Sequence, residues 1–231
     1  MKRFVGLILF FIAVTAHAQI EGAVTGNHWV GTWATAQQPV VRSFMPYNNN
    51  MSGRSVRQIV KVSIGGKQLR LELSNELSRE PLVIRSVYIA HAIDSCAIEP
   101  SSAKYLKFNG NYNTVIPAGK SRFSDALTFD LQPLERLAIT INYDKAPRIP
   151  TVHMGSRTTS YILRGVSTPK TSFDKAFRED HWFNISAIDV FDLTAKSIAI
   201  IGNSITDGKN STNNAQNRWP DILSESLQKK H

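Results

Sequence analysis

The stretch VRQIVKVSIGGKQLRLELS, residues 56–74, decides the fold class because two alternating patterns meet in it. In residues 56–64 one set of alternate positions is almost wholly apolar, and in residues 69–74 leucine alternates with polar residues. A period of two is typical of a β-strand with one buried face. Gly65 and Gly66 separate the two patterns, so the sequence predicts two strands joined by a tight hairpin.

The same period recurs between Trp29 and Asp192, and long helical periodicity is absent there. Turn residues such as Asn109-Gly110, Pro147 and Pro169 separate the segments. Many short strands punctuated in this way predict an antiparallel β-sandwich of the jelly-roll kind over residues 27–193, with a barrel as the open alternative. The predicted strands cover residues 82–93, 123–131, 137–143, 160–163 and 182–191.

The pattern changes near residue 193. Residues 196–201 read KSIAII, a continuous apolar run that is typical of a strand buried on both faces of a parallel sheet. A helix is predicted from Trp219, with Pro220 in its first turn and Asp221 near the positive end of its dipole. Residues 194–231 are therefore interpreted as the first β-α element of an α/β domain. Since such an element needs further crossovers, we interpret this domain as truncated and expect disorder or aggregation beyond residue 193.

The first residues have the composition of an export signal. Lys2 and Arg3 precede an apolar run, and Ala16-His17-Ala18 is a pattern that signal peptidases cleave. We predict a signal peptide over residues 1–18 and a secreted or periplasmic protein after cleavage near Ala18. The apolar run is too short for a permanent transmembrane helix, so no stable membrane insertion is expected.

Charge and metal-ligand spacing narrow the classes of function. The net charge of +9 falls to +7 without Lys2 and Arg3, because 25 basic side chains then face 18 acidic ones spread along the chain. Nucleic-acid binders usually concentrate their basic residues on one element, so no nucleic-acid partner is expected. The histidines lack the spacing of a metal site, and Cys96 is the only cysteine, so no metal or intrachain disulfide is expected.

The motif with the clearest chemistry is GNSITDG, residues 202–208, which follows the apolar run 196–201. At the carboxyl end of a strand, Ser204 would be presented to solvent, and its own backbone N–H could point at a developing oxyanion. A phosphate cradle is disfavoured, since neither the P-loop lysine nor the dinucleotide glycines are present.

This segment resembles block I of the SGNH/GDSL hydrolases. Residues 29–34, 57–60, 64–66, 69–71, 73–75 and 80–82 are similar to the N-terminal region of secreted bacterial GDSL esterases, including xylanase-associated members. The resemblance implies a flavodoxin-like SGNH domain after the sandwich, with Ser204 as nucleophile and oxyanion donor and with no cofactor. It implies an acylated carbohydrate or other small ester as substrate, deacylated at short-chain acyl groups such as acetyl. The residues that would shape the turn are Gly202, Asn203, Asp207 and Gly208.

Two blocks that the family uses, Gly-x-Asn-Asp and Asp-x-x-His, do not follow Ser204 in this sequence. Without a general base, serine is a poor nucleophile, so the chain as given is expected to be inactive by itself. The histidines of the first domain are disfavoured as substitutes, although Asp180-His181 is the most suggestive pair; the others are His28, His91 and His153. The alternative hypothesis is a non-catalytic, secreted carbohydrate-binding β-sandwich.

Overall fold

The computed structural model describes residues 28–229, and the fold of this part is mostly β. The predicted signal peptide lies outside the described residues. All pairs of named strands are antiparallel. The strands are β1 Trp29–Ala34, β2 Gln38–Pro39, β3 Arg54–Lys61, β4 Gly66–Ser74, β5 Leu82–Asp94, β6 Ala97–Ile98, β7 Lys104–Tyr105, β8 Thr114–Ile116, β9 Ser121–Phe123, β10 Leu127–Leu131, β11 Arg136–Lys145, β12 Thr151–Met154, β13 Ser160–Arg164, β14 Phe177–Glu179, β15 His181–Phe183 and β16 Ile185–Phe191.

Two larger sheets enclose the main core in a sandwich-like arrangement. A five-stranded sheet has the order β1-β16-β4-β10, with β9 also paired to β4. An eight-stranded sheet has the order β14-β13-β3-β11-β5-β6, with β7 and β8 also paired to β5. Leu71 of the first sheet and Ile89 and Ile139 of the second belong to one buried apolar cluster. The prediction of an antiparallel, mostly β fold is therefore confirmed.

A third, three-stranded sheet of order β15-β12-β2 closes one side of the core. Val152, Trp182 and Phe183 of this small sheet join the same apolar cluster as the two larger sheets. Trp33 lies against Trp182, with 5.0 Å between the ring centroids and the planes nearly perpendicular. The apolar surfaces of these two tryptophan side chains are therefore buried in the core.

The predicted hairpin across Gly65 and Gly66 is wrong. Strand β3 pairs with β11 and β13, whereas β4 pairs with β16, β10 and β9, so the two strands belong to different sheets. The connection turns a corner at which Thr32 accepts hydrogen bonds from the backbone N–H groups of Ser63 and Ile64. The apolar faces of β3 and β4 thus meet across the core, which buries both of them.

The other sequence-predicted strands of the sandwich are present, two of them interrupted. Residues 82–93, 137–143 and 160–163 fall within β5, β11 and β13. The segment 123–131 is divided between β9 and β10, and the segment 182–191 is divided at Asn184 between β15 and β16. Asn184 has φ 59°, the left-handed conformation that asparagine tolerates better than most residues.

Arg57, which the alternation placed on a solvent-facing side of β3, is instead 1% exposed. Its guanidinium donates to the Cys96 carbonyl at 2.7 Å and to the Tyr88 hydroxyl at 3.1 Å. It also lies 4.0 Å from the centre of the Phe173 ring. Loops pack over this outer face, so the eight-stranded sheet is covered on both sides.

The buried parallel strand predicted for residues 196–201 is not present. Residues 195–202 have no secondary structure, and Ile201 is 97% exposed. A strand forms only against a hydrogen-bonding neighbour, and no strand of residues 28–229 pairs with this segment. The predicted helix is confirmed as α1, Trp219–Gln228, with the Asp221 carboxylate accepting from the Arg218 backbone N–H. No helix within the described range is long and apolar enough to cross a membrane.

Candidate functional site

The loop of residues 202–208 presents Ser204 to solvent. Its side chain is exposed, and its hydroxyl has no hydrogen-bond partner among residues 28–229. Its backbone N–H likewise donates to no group in the described part of the chain. Both groups that an acyl-transfer serine uses, the attacking oxygen and the nearest oxyanion donor, are therefore unoccupied.

Asn203 organises the turn around Ser204. Its carbonyl oxygen accepts from the Asp207 N–H at 3.0 Å, and its amide oxygen accepts from the Ile205 N–H at 3.0 Å. The Ser204 carbonyl oxygen accepts from the Lys209 N–H at 2.8 Å. Within the described residues the N–H groups of Ile205, Asp207 and Lys209 are thus used inside the loop, whereas the N–H groups of Asn203, Ser204 and Thr206 donate to no group.

Glycine is required at both ends of this loop. At Gly202 a Cβ atom would collide with the side chain of Thr206. Gly208 has φ 102°, and a Cβ there would collide with the aliphatic part of Arg218. The spacing of the two glycines in the motif therefore follows from close packing on either side of the Ser204 turn.

His153 connects the loop to the β-sandwich. Its Nε2 lies 2.8 Å from Oδ1 of Asp207, and its Nδ1 donates to the Ala36 carbonyl oxygen at 2.7 Å. The histidine is 5% exposed and packs beside Trp182, with 5.7 Å between the ring centroids. Because both ring nitrogens are engaged, His153 positions Asp207 and has no nitrogen left for the Ser204 proton.

The chain after the loop runs along the connection between β12 and β13. Asn214 donates from its backbone N–H to the Arg157 carbonyl at 2.8 Å, and its amide oxygen accepts from the Thr159 N–H at 2.7 Å. Gln216, 4% exposed, donates to Thr158 Oγ1 at 3.0 Å. These bonds hold residues 214–218 against the sandwich although the segment has no regular structure.

Arg218 links this segment to the helix and to the tryptophan core. Its guanidinium carbon lies 5.4 Å from the centre of the Trp182 ring, and its Nε donates to the Asp221 carboxylate at 2.7 Å. It also donates to the Gln216 amide oxygen at 2.6 Å. The Ser204 loop and the start of α1 therefore rest on one patch of the sandwich, built around Trp182.

The other candidate residues from the sequence lie in structural contacts. The Nδ1 of His181 lies 2.7 Å from the Asp180 carbonyl oxygen, and His91 contacts Glu135. Burial raises the pKa of the Cys96 thiol, and its hydrogen bond to Asp174 raises it further, so this cysteine is not an activated nucleophile. Among the described residues no cluster of three or more His, Cys, Asp or Glu side chains could hold a metal ion.

The structure also brings in residues that the sequence pattern did not single out. His153 stood among four candidate histidines with nothing to favour it, and Gln216 and Arg218 carried no motif. Their roles depend on contacts with residues far away in the chain, so no local signal could have identified them. No family model matches this chain, and no curated protein is significantly similar to it.

Proposed function

We propose that the protein is a serine ester hydrolase of the SGNH/GDSL type with Ser204 as its nucleophile. The observation that carries the proposal is the exposed turn at Ser204, whose hydroxyl and backbone N–H have no partner within residues 28–229, while hydrogen bonds accepted by Asn203 hold the turn around them. The motif GNSITDG and the upstream similarities support the same class.

In this mechanism Oγ of Ser204 attacks the ester carbonyl carbon while a base removes the hydroxyl proton. The carbonyl oxygen becomes an oxyanion that accepts from the Ser204 N–H. Collapse breaks the bond to the alcohol, which leaves with a proton from the protonated base. Water then hydrolyses the acyl-serine by the reverse proton transfers and restores the enzyme.

Residues 28–229 do not supply a general base next to the Ser204 hydroxyl. The one histidine that contacts the loop, His153, is engaged at both nitrogens. In the SGNH family the base comes from an Asp-x-x-His block, and no residue among 28–229 is assigned that role here. The substrate we propose is a short acyl ester, acetyl groups on a polysaccharide in particular, and the proposed location is outside the cytoplasmic membrane.

The missing base makes a direct test possible, because added imidazole can take its place. We expect imidazole to accelerate the hydrolysis of p-nitrophenyl acetate more in the presence of the unaltered chain than in the presence of the Ser204→Ala variant. Mass spectrometry of rapidly quenched samples is expected to find the acetyl group on Ser204. Removing a nucleophile typically costs orders of magnitude in rate, so the imidazole-dependent difference is expected to vanish in the variant.

Ser226→Ala is the matched control, because Ser226 is an exposed serine on α1 whose hydroxyl donates to the Ile222 carbonyl. This variant is expected to respond to imidazole like the unaltered chain. Equal rates for Ser204→Ala and the unaltered chain at every imidazole concentration would remove Ser204 from the mechanism.

A further inference from the structure

A second region of the surface, separate from the Ser204 loop, has the form of a binding cleft. The cleft has a volume of about 1100 Å³ and lies between residues 42–52, the β4–β5 connection and the chain that follows β11. None of the residues that line it belongs to the 202–208 loop. Ligand sites in proteins are commonly concave spaces of about 300–1,000 Å³, so this cleft has room for a chain of several small units.

The charge of the cleft favours an anion. Three basic residues, Arg42, Lys145 and Arg148, line it together with one carboxylate, Glu80. The Glu80 carboxylate accepts a hydrogen bond from the backbone N–H of Arg148 at 3.0 Å. The Arg148 guanidinium takes no part in this contact. Within residues 28–229 neither Lys145 nor Arg148 forms an ion pair. Their charges are therefore available to a ligand.

One wall of the cleft is held rigidly. Tyr47 lies against the Arg54 guanidinium, whose carbon is 3.9 Å from the ring centre, and Phe177 packs near the same ring at 5.3 Å. Arg54 in turn donates to the Asn50 carbonyl at 2.7 Å. Tyr47 and Asn48 both have φ 54°, a conformation that bulky residues adopt only where their surroundings enforce it. Such enforced backbone is typical of ligand-binding segments.

Polar side chains capable of hydrogen bonding line the cleft beside the apolar Met45, Pro81 and Ala146. Ser43, Asn48 and Asn50 offer hydroxyl and amide groups, which match the hydroxyls of a sugar. Arginine recognises a carboxylate with two parallel hydrogen bonds, and lysine adds a point charge. A ligand that carries both carboxylates and many hydroxyls satisfies this combination better than a neutral glycan or an apolar molecule.

We propose that this cleft binds a short acidic oligosaccharide, with the uronate carboxylates held by Lys145 and Arg148 and the sugar hydroxyls by the Asn and Ser side chains. The site would keep an acidic polysaccharide on the β-sandwich independently of any chemistry at Ser204. Nucleic acid is the less fitting polyanion, because Tyr47, the only aromatic residue among 28–229 that lines the cleft, already packs against Arg54 and Phe177 and cannot stack freely on bases.

The test is calorimetric titration of the protein with trigalacturonate, and with galactotriose as its uncharged counterpart. We expect binding of trigalacturonate, weaker binding of galactotriose by about tenfold or more, and loss of about tenfold or more in affinity for the double variant Lys145→Gln/Arg148→Gln. The matched control Lys170→Gln/Lys175→Gln removes the same charge from two exposed lysines outside the cleft and is expected to keep the affinity.

Several results would overturn the proposal. These are a flat titration, equal losses in the two double variants, complete competition by inorganic sulfate at the concentration of the sugar, or tighter binding of a single-stranded oligonucleotide than of trigalacturonate. Ser204→Ala is expected to bind trigalacturonate normally. Failure at this site is thereby distinguished from failure of the proposed esterase function.

Discussion

Asn184 shows how much of this fold depends on a single buried side chain. Its amide oxygen accepts from the Tyr143 hydroxyl of the eight-stranded sheet at 3.0 Å, and its amide nitrogen donates to the Ser74 carbonyl of the five-stranded sheet at 2.8 Å. Its backbone N–H donates to the Thr151 carbonyl of the small sheet at 3.0 Å. Burial raises the pKa of Tyr143 far above its ordinary value, so the phenol remains a donor. One residue thus joins three sheets.

We expect Asn184→Ala to lower the free energy of unfolding by about 2–4 kcal/mol, because it leaves the Tyr143 hydroxyl and the Ser74 carbonyl buried without partners. Asn184→Gly, which tolerates the positive φ, is expected to be destabilised as well, since the same two bonds are lost. Denaturant unfolding measures both. Asn113→Ala, an exposed position, is the control and is expected to change stability by less than about 0.5 kcal/mol. Unfolding midpoints for Asn184→Ala that match the control would contradict the role assigned to Asn184.

At the scale of elements, the link between the sandwich and the Ser204 loop has few hydrogen bonds. Within residues 28–229 no backbone N–H of residues 196–202 donates a hydrogen bond, and the segment is tied by the Ser197 hydroxyl, which donates to the Gly31 carbonyl at 2.9 Å. Beyond it, residues 203–229 are docked on the sandwich through side chains and turns. From the sequence we expect disorder beyond residue 193, whereas in the structure residues 203–229 are packed against the sandwich.

Limited trypsin digestion is expected to cut first after Lys196, because protease cleavage requires an extended, unbonded backbone. Lys209 is also exposed, but its N–H donates to the Ser204 carbonyl within the packed loop, so cleavage there is expected to be slower. Mass spectrometry of the early fragments distinguishes the two sites. Lys196→Gln is expected to delay the first cut, and an initial cut after Lys209 would show that the docked loop opens first.

At the scale of the whole molecule, helix α1 is held to the sandwich by an ion pair between Lys61 of β3 and Glu225 of the helix. The hydrogen bond and the charge of Lys61 lower the pKa of the Glu225 carboxyl. A carboxyl whose pKa is lowered by folding stabilises the docked state above its ordinary pKa, and this contribution is lost as the pH falls through the lowered value. Docking of α1 is therefore expected to weaken in acid.

Amide hydrogen exchange in residues 219–228 measures this effect. At neutral pH we expect faster exchange in Glu225→Gln than in the unaltered chain, and we expect the two to converge in strong acid. Asp130→Asn is the control, because Asp130 pairs with Lys67 at 2.5 Å in an exposed site on β10. That variant is expected to leave the exchange of α1 unchanged at both pH values. A difference between Glu225→Gln and the unaltered chain that persists in strong acid would exclude this ion pair as the cause.

The sequence by itself determined the local structure of most of the sandwich. Alternation in residues 82–93 and 137–143 corresponds to β5 and β11, because a strand with one buried face must repeat every second residue. Pro220 and Asp221 marked the start of α1, because the first turn of a helix has free N–H groups that favour these residues. Gly208 in the motif likewise indicated a tight turn, which its φ of 102° requires.

Only the tertiary structure decided which strands pair and which side chains meet. The hairpin at Gly65 and Gly66 was wrong because alternation defines an apolar face without defining the partner that covers it. Arg57 is buried because distant loops cover its sheet, and residues 196–201 are exposed because a strand needs a neighbour that residues 28–229 do not supply. The contact between His153 and Asp207 joins residues far apart in the chain, and such contacts arise from packing of the whole fold, which local patterns do not encode.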